Sequence, residues 1–379
     1  MYAGKPTRLE ELVAESQRVL AICNACRYCE GYCAVFPALE RRLAFDEGDV
    51  HYLANLCHNC GACFQACQYA PPHDFALNFP LVLSQVRKET YKEYAWPAFL
   101  ASAFEAEGVA AGVVVVIALT AILAFMSIWA QPGTLGHAYS DAEGSFYAVL
   151  PHAAMAGLFG AVFALALVAM GAAVASFWAD GGEGAAGLVA PQPVGEATWD
   201  AVSLRYLDGG GAGCTAPDPR RAGLRRTFHQ LAFLGFMLCF AATCVATIYH
   251  YVFAIHAPYP FWSLPVLLGT AGGIGMMAGS AGLLWLRGRR DPRLADETQS
   301  AMDTSFLLLL LAVAATGLAL LALRETRAMG ALLAVHLGFV LALFVTLPYG
   351  KFMHAPYRFA ALVRYHLERR RPLPSIGSE

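Results

Sequence analysis

The sequence predicts an all-α protein in which a cysteine-rich head precedes a bundle of six transmembrane helices. Of the 379 residues, 58% are hydrophobic and 14% are charged, whereas soluble domains average about 45–50% and about 25%. Eight of the eleven cysteines lie between residues 23 and 67, before the first long apolar stretch. These values exclude a purely soluble enzyme, a disordered chain and a nucleic-acid-binding protein.

The head is expected to begin with an amphipathic helix over residues 7–22. Thr7 and Glu10 form the T-x-x-E pattern of a capping box, and apolar residues follow at helical spacing. Residues 34–56 predict about two turns of helix and a loop. Residues 1–20 are charged throughout and contain no apolar core of a secretory signal. We therefore expect the head in the cytoplasm, where grouped cysteines bind metal more often than they form disulfides.

Six stretches reach the roughly 20 mostly apolar residues that span a bilayer. They cover residues 109–130, 150–178, 228–255, 263–286, 303–323 and 330–353. The connection over residues 179–227 is rich in Gly and Pro and is expected to be a mobile insert, in which Cys214 is incidental. With the head in the cytoplasm, all of the 26 Lys and Arg residues except Arg324 and Arg327 lie on the cytoplasmic side. The positive-inside rule therefore places both termini in the cytoplasm.

The cysteines form two identical C-x2-C-x2-C-x3-C groups, C-N-A-C-R-Y-C-E-G-Y-C and C-H-N-C-G-A-C-F-Q-A-C. In this spacing three thiolates reach one [4Fe–4S] cluster and the fourth ligates the other cluster. The predicted ligand sets are Cys23, Cys26, Cys29 and Cys67 for one cluster, and Cys57, Cys60, Cys63 and Cys33 for the second. The usual Pro after the fourth cysteine is missing, since Ala34 and Gln68 stand there, so the pairing stays open. Structural zinc is the alternative, but it needs only four cysteines. The head is thus predicted to be an α-helical, two-cluster ferredoxin-like domain.

Four histidines fall within the predicted spans: His229, His250, His336 and His354. Ionisable residues inside a membrane are costly and usually functional. His336 and His354 are 18 residues apart, which on one continuous helix places both imidazoles on one side, about 27 Å apart. The third and sixth spans run in opposite directions, so His229 and His354 share the cytoplasmic level while His250 and His336 share the outer level.

Facing helices with paired imidazoles are a typical site for b-type haem, and we expect one or two haems in the bundle. Gly235 and Gly338 are expected to leave room for the porphyrin. The alternative is that these histidines are interfacial anchors, and His152 and His256 are rival ligands for the outer pair. Lys351 either extends toward the headgroups or holds a quinone carbonyl.

Other residues of these types have simpler interpretations. His51, His58 and His73 of the head are expected at the surface or beside the clusters without ligating iron, because eight thiolates already satisfy two clusters. Cys239 and Cys244 are expected to be small packing residues in the third span. His137 and His366 are expected in loops.

The two cysteine strings, extended to C-A-V-F-P-A-L-E and C-Q-Y-A-P-P-H, resemble the tricarballylate-utilisation protein B family, also called the CitB type. The resemblance covers the head and the layout of six spans. It implies a membrane electron-transfer partner of an FAD-dependent tricarballylate dehydrogenase. Such a protein reoxidises the partner's flavin through two [4Fe–4S] clusters and haem b and delivers the electrons to quinone. The sixth span also resembles the haem-bearing helix of the nitrate reductase gamma subunit family, which implies that His336 and His354 ligate two different haems.

The predicted organisation is therefore a cytoplasmic iron–sulfur domain over residues 1–108, a six-span haem domain over 109–358 and a cytoplasmic tail over 359–379, in a bacterial cytoplasmic membrane. No catalytic triad, phosphate-binding Gly loop or flavin-binding segment stands out in the sequence, so we expect the flavin to belong to a partner. Two alternatives remain open. One is a respiratory subunit of the heterodisulfide or sulfite type, and the other is a redox-sensing membrane transporter.

Overall fold

The computed structural model describes residues 7–103, 107–129, 133–138, 145–207, 209, 219–294 and 296–373. Within these ranges every regular element is a helix and none is a strand, which confirms the all-α prediction. The helices of the head are α1 (Arg8–Cys26), α2 (Val35–Leu39), α3 (Glu47–Leu56), α4 (Ala62–Gln65), α5 (Phe79–Glu93) and α6 (Ala98–Ala103).

Helix α1 begins as its capping box predicts. The Thr7 hydroxyl accepts from the Glu10 amide while the Glu10 carboxylate accepts from the Thr7 amide. The helix continues one turn beyond the expected end, and Arg27 terminates it in the left-handed conformation with φ 54°. Cys23 and Cys26 therefore lie on the last turn of a helix, which fixes their spacing.

Within the described residues, the membrane body contains six helices that are long and apolar enough to cross a bilayer, as predicted. These apolar segments are Val109–Trp129, His152–Asp180, Gly223–Val252, Leu264–Arg287, Gln299–Leu323 and Met329–Thr346. They belong to α7 (Glu107–Trp129), α9 (His152–Asp180), α12 (Pro219–Val252), α13 (Leu264–Arg287), α14 (Glu297–Leu323) and α15 (Met329–Thr346), and the short α8 (Ser145–Val149) precedes α9.

The sixth span is shorter than expected. Helix α15 ends at Thr346, a short 3-10 turn covers Lys351–Met353, and a separate helix α16 (His354–Glu368) follows. Pro348 lacks an amide donor and disfavours helix in the residue before it, so the helix stops there. The prediction that His336 and His354 share one side of a continuous helix is therefore wrong.

Glycines fix the crossing of α12 and α13. A Cβ atom on Gly235 would lie 2.4 Å from the Met276 backbone nitrogen, and one on Gly279 would lie 2.3 Å from that of Ala232. Close backbone contact of this kind needs residues without side chains. Gly338 likewise packs against Leu119 of α7. Both Gly235 and Gly338 serve helix packing, so the expectation that they leave room for a porphyrin is wrong.

The described part of the 179–227 connection is packed against the C-terminal helix. It contains α10 (Ala185–Leu188) and α11 (Pro191–Ser203). The Nε2 atom of His366 in α16 lies 2.9 Å from a carboxylate oxygen of Asp200 in α11, and both residues are buried. The expected mobility of this insert and the expected loop position of His366 are thus wrong for these residues. Cys214 lies outside the described residues.

Helix α16 joins the head to the membrane body. Its Tyr357 and Val363 belong to the same buried core as Leu53 of α3 and Phe177 of α9. At its end, Arg42 of the head binds both Glu368 and Asp49, at 2.5 and 2.6 Å. The boundary expected at residue 358 falls inside this helix. The contacts hold the head directly on one end of the bundle.

Candidate redox sites in the head and the membrane body

One cavity of the head is lined by four of the predicted cysteines, and Cys63 also reaches it. Cys23 and Cys26 come from the end of α1, and Cys29 and Cys67 come from the loops that follow α1 and α4. The cavity encloses about 490 Å³, including the space open to solvent at its mouth. Tyr28 at this mouth is 64% exposed. We call this the outer thiol cavity.

The other four cysteines line a second cavity, which we call the inner thiol cavity: Cys33, Cys57, Cys60 and Cys63. The two cavities are neighbours, because Phe36, Cys63 and Phe79 line both. Each cavity thus collects three cysteines of one motif and the fourth cysteine of the other, and Cys63 lies at the border between the two cavities. This is the grouping expected of two [4Fe–4S] clusters.

The thiols are suited to metal rather than to free ionisation. Burial, followed by the neighbouring Cys67, Cys29 and Cys26, raises the pKa of the Cys23 thiol to about 12. Burial also raises the pKa of Cys33 well above its usual value. Four thiolates in one small cavity repel one another unless a positively charged iron cluster offsets their charge, so binding must displace protons.

His58 lies beside the inner thiol cavity and is 8% exposed. Burial and then the charges of Arg358 and Arg225 hold the pKa of His58 well below its usual value, so its ring is neutral. Among the described residues, its buried Nδ1 atom has no hydrogen-bond partner. His51 is also buried, with Nδ1 2.6 Å from the Tyr94 hydroxyl, whereas His73 lies in an exposed turn.

His229 and His354 come together where α12 and α16 meet. Their ring centroids are 6.2 Å apart and the ring planes are nearly perpendicular, at 86°. An iron bound by two imidazoles, with metal–nitrogen bonds of about 2 Å on each side, separates the ring centroids by roughly 6 Å. The Nδ1 atom of His354 is 2.7 Å from the Lys351 carbonyl oxygen, which leaves Nε2 available. The buried Nδ1 atom of His229 has no hydrogen-bond partner in the part of the chain that the structure describes. The pair fits the axial ligands of one haem.

The expected pairing of His250 with His336 does not occur in the structure. Helix α15 packs on α7 and α14, whereas α12 packs on α13. His336 therefore lies against α14, with its Nδ1 3.1 Å from the Thr316 hydroxyl. His250 stacks on His152 with ring centroids 3.5 Å apart, and His256 lies 4.8 Å from it. The two rivals considered from the sequence are thus the actual neighbours of His250.

Lys351 does not extend toward the headgroups. Its Nζ atom lies 2.7 Å from Asp303 of α14, and Arg287 binds the other oxygen of that carboxylate at 2.8 Å. The side chain of Lys351 is 17% exposed. Cys239 packs against Gly272 of α13, in keeping with a packing role, while Cys244 is exposed on the same helix.

Comparison with known proteins places both parts of the chain in one family. Residues 107–375 match the family model Citrate utilization protein B, and residues 16–93 match the model Citrate utilization protein B Fer4-like domain. The chain belongs to the citrate utilization protein B family. A curated relative from Escherichia coli, named Citrate utilization protein B, is 50% identical over 366 residues, which cover 96% of this chain and 94% of the relative. No solved structure matches.

Membership of the family confirms the resemblance drawn from the two cysteine strings. The Fer4-like model covers both motifs, so the head of this family member is an iron–sulfur type of domain. The match over residues 107–375 takes in all six apolar helices, so the family's domain is a multi-pass membrane domain.

Proposed function

We propose that this family member is the membrane electron-transfer partner of an FAD-dependent dehydrogenase. It accepts electrons from the reduced flavin through two [4Fe–4S] clusters, passes them to a b-type haem and delivers them to membrane quinone. The sequence resemblance suggests a tricarballylate dehydrogenase as the partner. The name of the Escherichia coli relative refers to citrate utilisation, and we infer that the acid oxidised by the partner belongs to the same class of small tricarboxylates.

One observation carries the proposal: the candidate sites form a continuous series from the surface into the membrane body. The outer thiol cavity opens to solvent beside Tyr28, and it shares lining residues with the inner thiol cavity. His58 borders the inner cavity, and its carbonyl oxygen accepts at 3.3 Å from Arg225, which lies one turn before His229 on α12. A series of adjacent sites is what stepwise electron transfer requires.

The residues have distinct parts in this scheme. The eight cysteines would hold the clusters, and His229 and His354 would hold the haem iron. These groups supply one-electron chemistry when bound, so they can empty a two-electron flavin in two steps. The protein supplies position, because α16 packs in the core of the head and carries His354 at its other end. A rigid junction of this kind keeps the distance between the inner cavity and the histidine pair constant.

The orientation is also part of the proposal. The head, the described part of the 179–207 segment, residues 287–294 and α16 lie together at one end of the bundle. For example, the side-chain amide of Asn78 in the head donates to the Arg293 carbonyl oxygen at 2.7 Å, and Gly48 lies against Asp180 at the end of α9. These segments carry most of the basic residues, so the positive-inside rule supports a cytoplasmic location for all of them.

The test begins with the purified, detergent-solubilised protein. We expect about eight non-haem irons per chain and a sharp b-type α-band after reduction with dithionite. A reduced FAD-dependent tricarballylate dehydrogenase should then reduce the haem, and a soluble quinone analogue should reoxidise it. The double variant Cys26→Ala/Cys60→Ala is the control and should break the transfer. Clusters without haem, or haem that the flavoprotein fails to reduce, would overturn the proposed route.

A further inference from the structure

Four arginines from different parts of the fold converge on the loop that carries Cys57. We call them the junction arginines: Arg87 of α5, Arg225 of α12, Arg290 after α13, and Arg358 of α16. Their guanidinium groups donate to backbone carbonyls of residues 55–59 at 2.5–3.4 Å. Arg358, for example, donates to the Cys57 carbonyl at 2.7 Å. The junction between head and membrane body is therefore strongly cationic.

Among the residues that the structure describes, no carboxylate forms an ion pair with a junction arginine. The nearest acid, Asp303, is already bound by Lys351 and Arg287. Burial and then the repulsion of Arg87 lower the pKa of Arg358 to about 10, so it is still charged at pH 7. Partly buried cations without counterions are costly, so the junction calls for anions.

Two of the junction arginines are in register with the histidine pair. Arg225 precedes His229 by four residues on α12, and Arg358 follows His354 by four residues on α16. Residues four apart lie on one face of a helix, about one turn from each other. Both arginines are bonded to the head. Each therefore lies on the head side of its histidine.

We propose that Arg225 and Arg358 bind the propionate carboxylates of the haem held by His229 and His354. This rests on the proposed function. Haem b carries its two carboxylates at one edge, and guanidinium groups bind carboxylates well. Because both arginines also donate to carbonyl oxygens of residues 55–59, they would hold the haem carboxylates beside the Cys57 loop and the inner thiol cavity. The same cations face the net negative charge that four thiolate ligands give the inner cluster.

The cations beside the haem and those beside the inner cluster both favour electron transfer from the head into the membrane. A reduced cofactor carries one more negative charge than its oxidised form, and neighbouring cations stabilise that form. The junction arginines therefore raise the midpoint potentials of the haem and the inner cluster. Cys57, to which Arg87 and Arg358 donate, lines the inner cavity and not the outer one, so the outer cluster is expected to be affected least.

The experiment uses the full chain in detergent with Arg225→Gln and Arg358→Gln, and redox titration followed by optical and EPR spectroscopy. We expect the haem midpoint potential to fall in both variants, while the α-band and low-spin signal of bis-histidine ligation are kept. Arg225→Lys retains the charge and should restore most of the potential. Arg371→Gln is the matched control, because Arg371 is exposed and paired with Glu183 at 2.6 Å. The haem midpoint potential of this variant should equal that of the wild type.

A second measurement tests the propionates themselves. Apoprotein from haem-deprived cells is titrated with haem and with haem dimethyl ester, whose carboxylates are blocked. We expect the wild type to prefer haem by at least tenfold and the Arg225→Gln/Arg358→Gln double variant to lose that preference. Unchanged midpoint potentials together with an unchanged preference would overturn the inference. A wild type that binds no haem would instead overturn the proposed haem route, so the two failures are distinguishable.

Discussion

The sharpest test of the head is whether the fourth cysteine of each motif ligates the cluster of the other motif. Cys33 belongs by sequence to the motif of Cys23, but the structure places it in the inner thiol cavity with Cys57 and Cys60. Cys33→Ala should therefore remove the inner cluster and leave the outer one. Each cavity offers four cysteines, enough for one [4Fe–4S] cluster, so iron should fall from about eight to about four per chain. Cys67→Ala should give the same iron loss but remove the outer cluster.

The assay combines iron and sulfide analysis with EPR of the dithionite-reduced protein. The signal lost in Cys33→Ala should match that lost in Cys60→Ala, and the signal lost in Cys67→Ala should match that lost in Cys26→Ala. Cys244→Ser is the matched control, because this cysteine lies on α12 in the membrane body. If Cys33→Ala instead abolished the same signal as Cys26→Ala, each motif would hold its own cluster and the grouping by cavities would be refuted.

Three further predictions concern the membrane body and the free thiols. His229→Leu and His354→Leu should each reduce bound haem b from about one per chain to near zero in the pyridine haemochrome assay, because each removes a ligand of the haem iron. His336 lies against Thr316, so His336→Leu should retain this haem. Loss of the haem in His336→Leu would contradict the pairing of His229 with His354. Gly279→Ala should destabilise the α12–α13 packing by about 1–3 kcal/mol, because its Cβ would lie 2.3 Å from the Ala232 nitrogen. A thermal melt in detergent measures the loss of stability. In the control Gly288→Ala the new Cβ would lie 3.8 Å from the Trp285 oxygen, so this variant should melt like the wild type. After anaerobic removal of iron, Cys23 should react with iodoacetamide about two orders of magnitude more slowly than free cysteine at pH 8, because burial and nearby thiolates raise its pKa to about 12. The rate of alkylation, followed by mass spectrometry, should still rise about tenfold per pH unit between pH 8 and 10 as thiolate forms. A rate that reaches a plateau near pH 9 would show that Cys23 has an ordinary thiol pKa and would contradict this prediction.

Some expectations failed where they depended on how separate segments pack. The spacing of His336 and His354 suits a single helix, but Pro348 and the turn at Lys351–Met353 end α15 before His354. Gly235 gave no sign in the sequence that its partner would be the Met276 backbone and not a porphyrin. A glycine in a transmembrane helix leaves room on its face, but the sequence does not show whether a neighbouring helix or a cofactor occupies that room.

The junction arginines were missed for a related reason. Arg87, Arg225 and Arg358 are far apart in the sequence, and each was counted only as a cytoplasmic positive charge. Their spacing of four residues from His229 and His354 was a usable signal for two of them, but only after the histidine pair was known. Convergence on residues 55–59 depends on the docking of the head against α12 and α16.

The sequence by itself determined the properties that depend on local pattern and composition. Cysteine spacing identified the iron–sulfur motifs, runs of apolar residues identified six membrane helices, and the T-x-x-E box placed the start of α1, because short-range geometry and solvent preference decide these features. Only the tertiary structure decided which helices face each other. It joined His229 to His354, separated His250 from His336 and made α16 part of the head's core. Side-chain packing between distant segments sets those choices, and no periodicity in a single segment encodes its partner.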